Sequence, residues 1–111
     1  MPNADVLLHE LLDEGLADWV PLTRITGSAR EAVAADGGDH REVATALIAR
    51  LIEEGLMVPG DLGHSGFQAW PGARHELVRR VVAQCQQLDW DPLGDGCWWA
   101  NTDKGDRLAR A

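Results

Sequence analysis

The 111-residue chain has no tyrosine, one phenylalanine, one lysine and only two cysteines. Cys85 and Cys97 form neither a CxxC pair nor a disulfide framework, which fits a reducing cytoplasm. The apolar runs are a few residues long, far short of the roughly 20 residues that cross a bilayer. The first residues carry acidic side chains where a signal peptide needs basic ones. These absences predict a cytoplasmic protein without a membrane partner.

Acidic residues outnumber basic ones, 18 against 10, and the net charge is −8. Residues 1–55 carry 11 acidic and 4 basic side chains, whereas residues 56–111 carry 7 and 6. A negative chain repels phosphate backbones and anionic lipid at long range, so nucleic-acid binding requires a local basic patch. Nine of the ten basic residues are arginine, which indicates GC-rich coding and a bacterial source. The charge therefore favours a basic partner over a nucleic acid.

The length and an apolar content of 45% predict a single globular domain over residues 1–111. Apolar residues at helical spacing predict five helices, over about 3–14, 21–36, 39–54, 73–88 and 103–110. Asn3 and Asp39 are suited to cap the first and third helices. The similar segments LLDEGL and LIEEGL predict that Gly15 and Gly55 end these two helices in the left-handed conformation.

The middle of each apolar stripe predicts the core. The third helix carries its stripe on Val43, Leu47 and Leu51, widened by Ala46, Ile48 and Ile52. Residues predicted to be buried together are Leu11, Leu47, Leu51, Val81 and Val82. The second helix has an open alternative, a break near Gly27, because Ser28 and Glu31 form a capping-box pattern.

Two short strands complete the predicted fold. Leu56-Met57-Val58 reads as a strand ended by Pro59-Gly60, and residues 60–72 are expected to form a loop. Residues 97–101 form the second strand, in which Trp99 faces the core and Trp98 the opposite side. The fold class is therefore α+β and mostly helical, with the fourth helix inserted between the two strands.

Two segments resemble the winged-helix domains of MarR- and PadR-like regulators. The closing segment CWWANTDKGDRLARA is similar to their second wing strand, where an aromatic strand runs into a Thr-x-x-Gly turn and a helix. Here Thr102 and Gly105 begin and end that turn. ALIARLIEEGLMV, residues 46–58, is similar to their junction between the third helix and the wing. The resemblance implies a winged-helix-like fold and DNA binding.

Two departures weigh against DNA binding. About 38 residues separate the two predicted wing strands, where an ordinary wing is a tight hairpin. The third helix opens with Asp39-His40-Arg41-Glu42, although a helix that enters the major groove needs basic or amide side chains near its start. A DNA-binding regulator remains the alternative function. The residues that would contact nucleic acid are Arg24, Arg30, Arg41, Lys104 and Arg107.

The sequence contains no recognisable catalytic or metal-binding constellation. The four histidines are scattered without an HxxxH or CxxC pairing, so no metal or other cofactor is expected. GHSGF at residues 63–67 misses the nucleophile-elbow pattern by one residue. Cys85 lies on the apolar stripe of its helix, where an inert thiol is expected. These patterns predict a protein that is not an enzyme.

Tryptophan is the unusual feature, with five copies in a chain that has one other aromatic residue. Trp98, in the last strand, is either covered by the inserted helix or exposed as a binding anchor, since tryptophan is enriched in interface hot spots. Trp90, in the preceding loop, is the second candidate anchor. The sequence thus predicts a protein-binding module, of the antitoxin or immunity type, with a basic protein partner. A homodimer is compatible with the sequence.

Overall fold

The computed structural model describes residues 4–111, which form an α+β fold that is 60% helical. The predicted fold class is confirmed to that extent. The elements within this range, in chain order, are α1 (Ala4–Ala17), β1 (Val20–Pro21), α2 (Leu22–Asp36), α3 (His40–Glu53), β2 (Met57–Gly63), β3 (Gly66–Ala69), α4 (Arg74–Gln87), β4 (Trp98–Asn101) and α5 (Asp103–Arg110).

The four strands of the described chain form one antiparallel sheet in the order β1-β4-β2-β3. β4 therefore lies between β1 and β2, so the last strand joins two segments that come earlier in the chain. Val20 lies opposite Trp99, and Trp99 lies opposite Pro59 on the other side of β4. β1 and β3 are the two edges of the sheet.

The prediction of a loop over residues 60–72 is wrong, because β2 and β3 form a hairpin there. β2 continues through Pro59, whose missing N–H faces Trp70, just beyond the end of β3. Trp70 N donates to Pro59 O at 3.0 Å, so the proline removes only the last bond of this ladder. α4 is inserted between β3 and β4. The region from β2 to β4 therefore contains three strands, where the sequence predicts two.

The two similar Gly-Leu segments end differently. At the end of α3, Gly55 has a φ of 69°, and Leu56 N donates to Leu51 O at 2.9 Å, so the predicted left-handed stop is confirmed. At Gly15 the prediction is wrong, because α1 continues to Ala17. Gly15 instead lets Asn101 approach, since an added Cβ would lie 2.1 Å from Asn101 Oδ1.

α2 is continuous, and α3 begins at its predicted cap. α2 runs unbroken through Gly27, so the alternative of a break there is wrong. Ser28 is buried inside the helix and accepts a hydrogen bond from Arg24 Nη1, instead of capping a new helix. Asp39 caps α3 as predicted, accepting from Arg41 N at 2.9 Å. The cap predicted at Asn3 lies outside the described residues.

One hydrophobic core lies between the helices and the inner face of the sheet. Four of the five predicted core residues, Leu11, Leu47, Leu51 and Val81, are buried in it, whereas Val82 is only partly buried at its margin. On α3 the predicted stripe is confirmed at Leu47, Ile48, Leu51 and Ile52, whereas Ala44 is buried in place of Ala46, which is exposed. α3 packs against both α2 and α4.

Candidate protein-binding surface

Burial alternates along the strands and separates an inner from an outer sheet face. In β4, Trp99 is fully buried, whereas Trp98 and Ala100 are half-buried. In β2, Val58 is half-buried between buried neighbours and lies opposite Ala100. Side chains of successive strand residues point to opposite faces, so Trp98, Ala100 and Val58 share the face turned away from the core. This outer sheet face is apolar.

Trp19 and the hairpin extend this apolar area. Leu62 lies opposite Phe67 in the hairpin, two residues beyond Gly60, which itself lies opposite Trp98. The Trp19 ring stacks on Phe67 with 6.2 Å between ring centroids. Trp19 is 42% exposed and Leu62 is 39% exposed. We use the name outer sheet face for the set Trp19, Pro21, Val58, Leu62, Phe67, Trp98 and Ala100.

Two acidic grooves lie on either side of Trp19. The first, of about 450 Å³, is walled by Trp19 and lined by Glu14, Asp18 and Glu31. Arg24 also lines it, and its Nε donates to Glu14 Oε1 at 2.9 Å, which raises the pKa of the guanidinium. Carboxylates thus outnumber the one basic group of this groove. An apolar face bordered by negative charge fits a partner with an apolar patch bordered by basic side chains.

The second groove connects Trp19 to the last strand and helix. Its volume is about 360 Å³, and its lining includes Trp19, Ala100, Asp106 and Arg110. Asp18 lines both grooves, and it accepts a hydrogen bond from the backbone N–H of Trp19 at 2.7 Å. This bond holds the Asp18 carboxylate beside the exposed side chain of Trp19. The tryptophan therefore stands between two grooves that share an acidic residue.

The two predicted anchors lie in different parts of the molecule. Trp98 is on the outer sheet face and is half-buried, so it is neither sealed beneath α4 nor fully exposed. Trp90 is partly buried and packs against the core. The Trp90 backbone has a φ of 59°, with its N–H bonded to Cys85 O and its carbonyl accepting from Arg30 Nη2 at 3.0 Å. These contacts give Trp90 a role in fixing the loop to α4 and α2.

Trp19 is the surface residue that the sequence did not single out. Its place beside Pro21 predicts a short extended segment and nothing about a partner. Only the stacking on Phe67, a contact between the two edges of the sheet, brings the ring onto the outer sheet face. The signal in the sequence was a tryptophan two residues before Pro21, at the start of a predicted extended segment.

Four of the five basic residues of the alternative DNA-binding hypothesis are held by acceptors of the chain itself. Arg24 is paired with Glu14, and Arg41 with Asp39 at 3.2 Å. The backbone N–H and guanidinium of Arg41 lower the pKa of the Asp39 carboxyl. Arg30 donates to the Trp90 carbonyl, as described above, and Lys104 Nζ donates to Glu54 O at 2.8 Å. Arg107 is exposed on α5.

Both cysteine thiols are buried and free. Burial raises the pKa of Cys85 to about 11 and that of Cys97 to about 12. The reactive form of cysteine is the thiolate, which these values disfavour at neutral pH. The two thiols therefore act as apolar side chains of the core.

Among residues 4–111, no group of three or more His, Cys, Asp and Glu side chains is arranged to hold a metal ion. Over the same range, no helix combines the length and apolar character that crossing a membrane requires. Comparison with family models, curated proteins and solved structures found no match to this chain.

Proposed function

We propose that the protein is a non-enzymatic binding module, on a winged-helix-like scaffold, that docks a basic protein on its outer sheet face. The observation that carries the proposal is the apolar face that contains Trp19, Phe67 and Trp98 and lies beside acidic grooves. Tryptophan supplies a large contact area at low entropic cost and is enriched among interface residues that dominate binding energy. A toxin with a basic surface, bound by an antitoxin or immunity protein, is a partner of this chemistry.

Three helices followed by the paired strands β2 and β4 support the winged-helix-like part of the proposal. The charge distribution argues against the DNA-binding function of such scaffolds. α3 begins with the Asp39–Arg41 pair and carries Glu42 in its first turn. Phosphate contacts by Arg24 or Arg41 would first require breaking their ion pairs. We therefore prefer a protein partner to duplex DNA.

Site-specific photo-crosslinking in the native cell tests the surface and the partner together. A benzophenone amino acid is placed at Val58 or Leu62 on the outer sheet face, and at exposed Ala83 on α4 as the control. We expect the first two positions to capture the same basic protein and Ala83 not to capture it. Capture from Ala83 alone would overturn the assignment of the surface.

The purified complex then tests the chemistry of binding. We expect Trp19→Ala to weaken the complex at least tenfold, and its dissociation constant to rise as salt screens the acidic grooves. Arg79→Ala on α4 is the matched surface control and should leave affinity unchanged. Sub-micromolar, sequence-selective binding of duplex DNA at about 0.15 M salt would instead support the regulator, since non-specific contacts rarely reach that strength.

A further inference from the structure

The two edges of the sheet are protected unequally. At the β1 edge, Leu22 N donates to Cys97 O, so the backbone of Leu22 and of Val20 is directed toward β4. Alternation then turns the backbone of Pro21 outward, where a proline nitrogen cannot donate a hydrogen bond. Proline in such a position is one of the ways in which natural sheets prevent an additional strand from pairing. The β1 edge is therefore closed.

The β3 edge is open. Trp70 N donates to Pro59 O at 3.0 Å, so the backbone groups of Trp70 and, by alternation, of Gln68 and Gly66 face β2. The N–H and C=O groups of Phe67 and Ala69 consequently point away from the sheet. Ala69 is exposed and Phe67 is half-buried. Neither a proline nor a charged residue occurs in β3, so nothing within the strand blocks further pairing.

The hairpin that carries this edge contains few charged residues, and the Arg80 guanidinium lies 3.6 Å from the centroid of the Trp70 ring beside it. Residues 55–72 contain one acidic residue, Asp61, and no lysine or arginine, in a chain whose net charge is −8. Asp61 Oδ2 accepts a hydrogen bond from Trp70 Nε1 at 2.9 Å. Two copies of the chain repel each other least where both present this hairpin. The edge is thus better suited to a second copy than any acidic helical face is.

We propose that β3 pairs with β3 of a second copy in an antiparallel, two-fold arrangement. The register that matches the outward groups sets Gln68 opposite Gln68 and Phe67 opposite Ala69 of the second copy. Each Phe67–Ala69 pair then exchanges two backbone hydrogen bonds, and a large side chain lies beside a small one. The two outer sheet faces become one continuous face. The proposal does not depend on the function proposed above.

The area of contact determines the expected strength. Each copy contributes a strand of four residues, which buries less than the roughly 1,000 Å² of a stable interface. We therefore expect a weak dimer, with a dissociation constant between about 10 µM and about 1 mM. Sedimentation equilibrium of the full chain from about 10 µM to about 1 mM covers this range. We expect the weight-average mass to rise from that of the monomer toward that of the dimer.

Three variants locate the interface. Ala69→Lys places a charge on the edge, and Ala69→Pro removes an outward N–H without removing a bond to β2. Both should remain monomeric over the whole range. Ala83→Lys makes the same charge change on α4 and should dimerise like the wild type. Because an added lysine lowers the net negative charge, loss of the dimer in Ala69→Lys alone is not explained by a stronger overall repulsion between copies and places the interface at this edge.

Amide hydrogen exchange supplies a second readout, which also holds if Ala69→Pro fails to fold. We expect the Phe67 and Ala69 amides to exchange fast in dilute protein and slowly at about 1 mM, while the Gln68 amide is protected at both concentrations. A wild-type chain that stays monomeric at about 1 mM overturns the proposal. A dimer that persists unchanged in Ala69→Lys, with Phe67 still unprotected, overturns it too, and assigns dimerisation to another surface.

Discussion

The indole ring of Trp19 stacks on the phenyl ring of Phe67, with 6.2 Å between centroids and 26° between planes. Trp19 precedes β1 and Phe67 belongs to β3, the two edge strands, so the contact connects opposite edges of the sheet. Gly66 permits it, because an added Cβ would lie 3.2 Å from the indole, closer than ordinary van der Waals contact. The hairpin is therefore curled toward the outer sheet face and held there by one aromatic pair.

A double-mutant cycle measures this pair. We expect Trp19→Ala and Phe67→Ala to show a coupling energy of about 0.5–1.5 kcal/mol, as aromatic pairs do in other proteins. Chemical denaturation of the two single variants and the double variant gives the value. Trp98→Ala paired with Leu93→Ala, at a side chain that is 68% exposed in the loop before β4, is the control cycle and should be additive. Additivity at Trp19 and Phe67 would contradict an energetic role for the stack.

Two glycines in helices predict opposite effects of the same substitution. Gly15→Ala should destabilise strongly, because its Cβ would lie 2.1 Å from Asn101 Oδ1. Gly27→Ala should stabilise by about 0.5–1 kcal/mol, since nothing lies within 4 Å of its added methyl group and alanine favours the helix. Urea denaturation of both variants checks the prediction. Equal effects would mean that Asn101 does not lie against α1 as described.

A cavity at the centre of α3 should strongly lower the free energy of unfolding. Leu51 is 0% exposed, and Leu51→Ala should lower the free energy of unfolding by about 2–5 kcal/mol. Leu93→Ala, at an exposed leucine, is the matched control and should change it by less than about 0.5 kcal/mol. Denaturation curves with equal slopes are needed for the comparison. A loss of less than about 0.5 kcal/mol at Leu51 would contradict the packing of α3.

Removing the hydroxyl of Thr102 at the start of α5 should lower the stability of the protein. Its hydroxyl accepts from Gly105 N at 3.0 Å and donates to Gly55 O at 2.6 Å, which connects the cap of α5 to the end of α3. Thr102→Ala should cost about 0.5–2 kcal/mol. Thr102→Ser keeps the hydroxyl and should retain most of the stability. Thermal or chemical denaturation that ranks the two variants equally would show that packing of the methyl group, not capping, is what matters.

The buried thiols predict a loss of stability at alkaline pH. The pKa of Cys85 rises from 9.0 to about 11 and that of Cys97 from 9.0 to about 12, because burial disfavours the thiolate. The unfolded chain therefore loses its thiol protons first, and stability that is complete below pH 9 falls as the pH rises toward 11. Denaturation midpoints from pH 7 to pH 11 record the change. The variant Cys85→Ala/Cys97→Ala should show a smaller decline over this range, and the chain has no tyrosine and one lysine, the other side chains that ionise there.

Local sequence patterns predicted the helices and several of their ends. Asp39 and Gly55 act as predicted because a cap depends on neighbouring residues only. The hairpin was missed because Pro59-Gly60 is typical of a strand end. In the fold, Pro59 faces the position just past β3, and the added Cβ of Gly60 would lie 2.2 Å from Gln68 O. Whether a strand can continue through proline and glycine depends on the strand that pairs with it, and the sequence does not specify that neighbouring strand.

The candidate surface shows the same limit. Alternation within β4 placed Trp99 on the inner face and Trp98 on the opposite one, as the structure has them. The stacking partner of Trp19 could not be predicted from the sequence, because Trp19 and Phe67 lie at opposite edges of the sheet. Their contact depends on the strand order, in which β4 and β2 lie between β1 and β3. Trp90 is a candidate anchor by sequence because it is a tryptophan in the loop before the last strand, but its neighbours in space are the core and Arg30.

The position of Asn101 has a consequence for the order in which the chain can fold during synthesis. Its Nδ2 donates to Leu12 O at 2.9 Å and to Asp106 Oδ1 at 3.0 Å, and thereby joins α1 to α5. In the described chain, β1 likewise pairs with β4. α1 and β1 thus find these partners among residues that are synthesised much later. Until β4 and α5 have left the exit tunnel, the surfaces of α1 and β1 that contact them stay uncovered and accessible to chaperones.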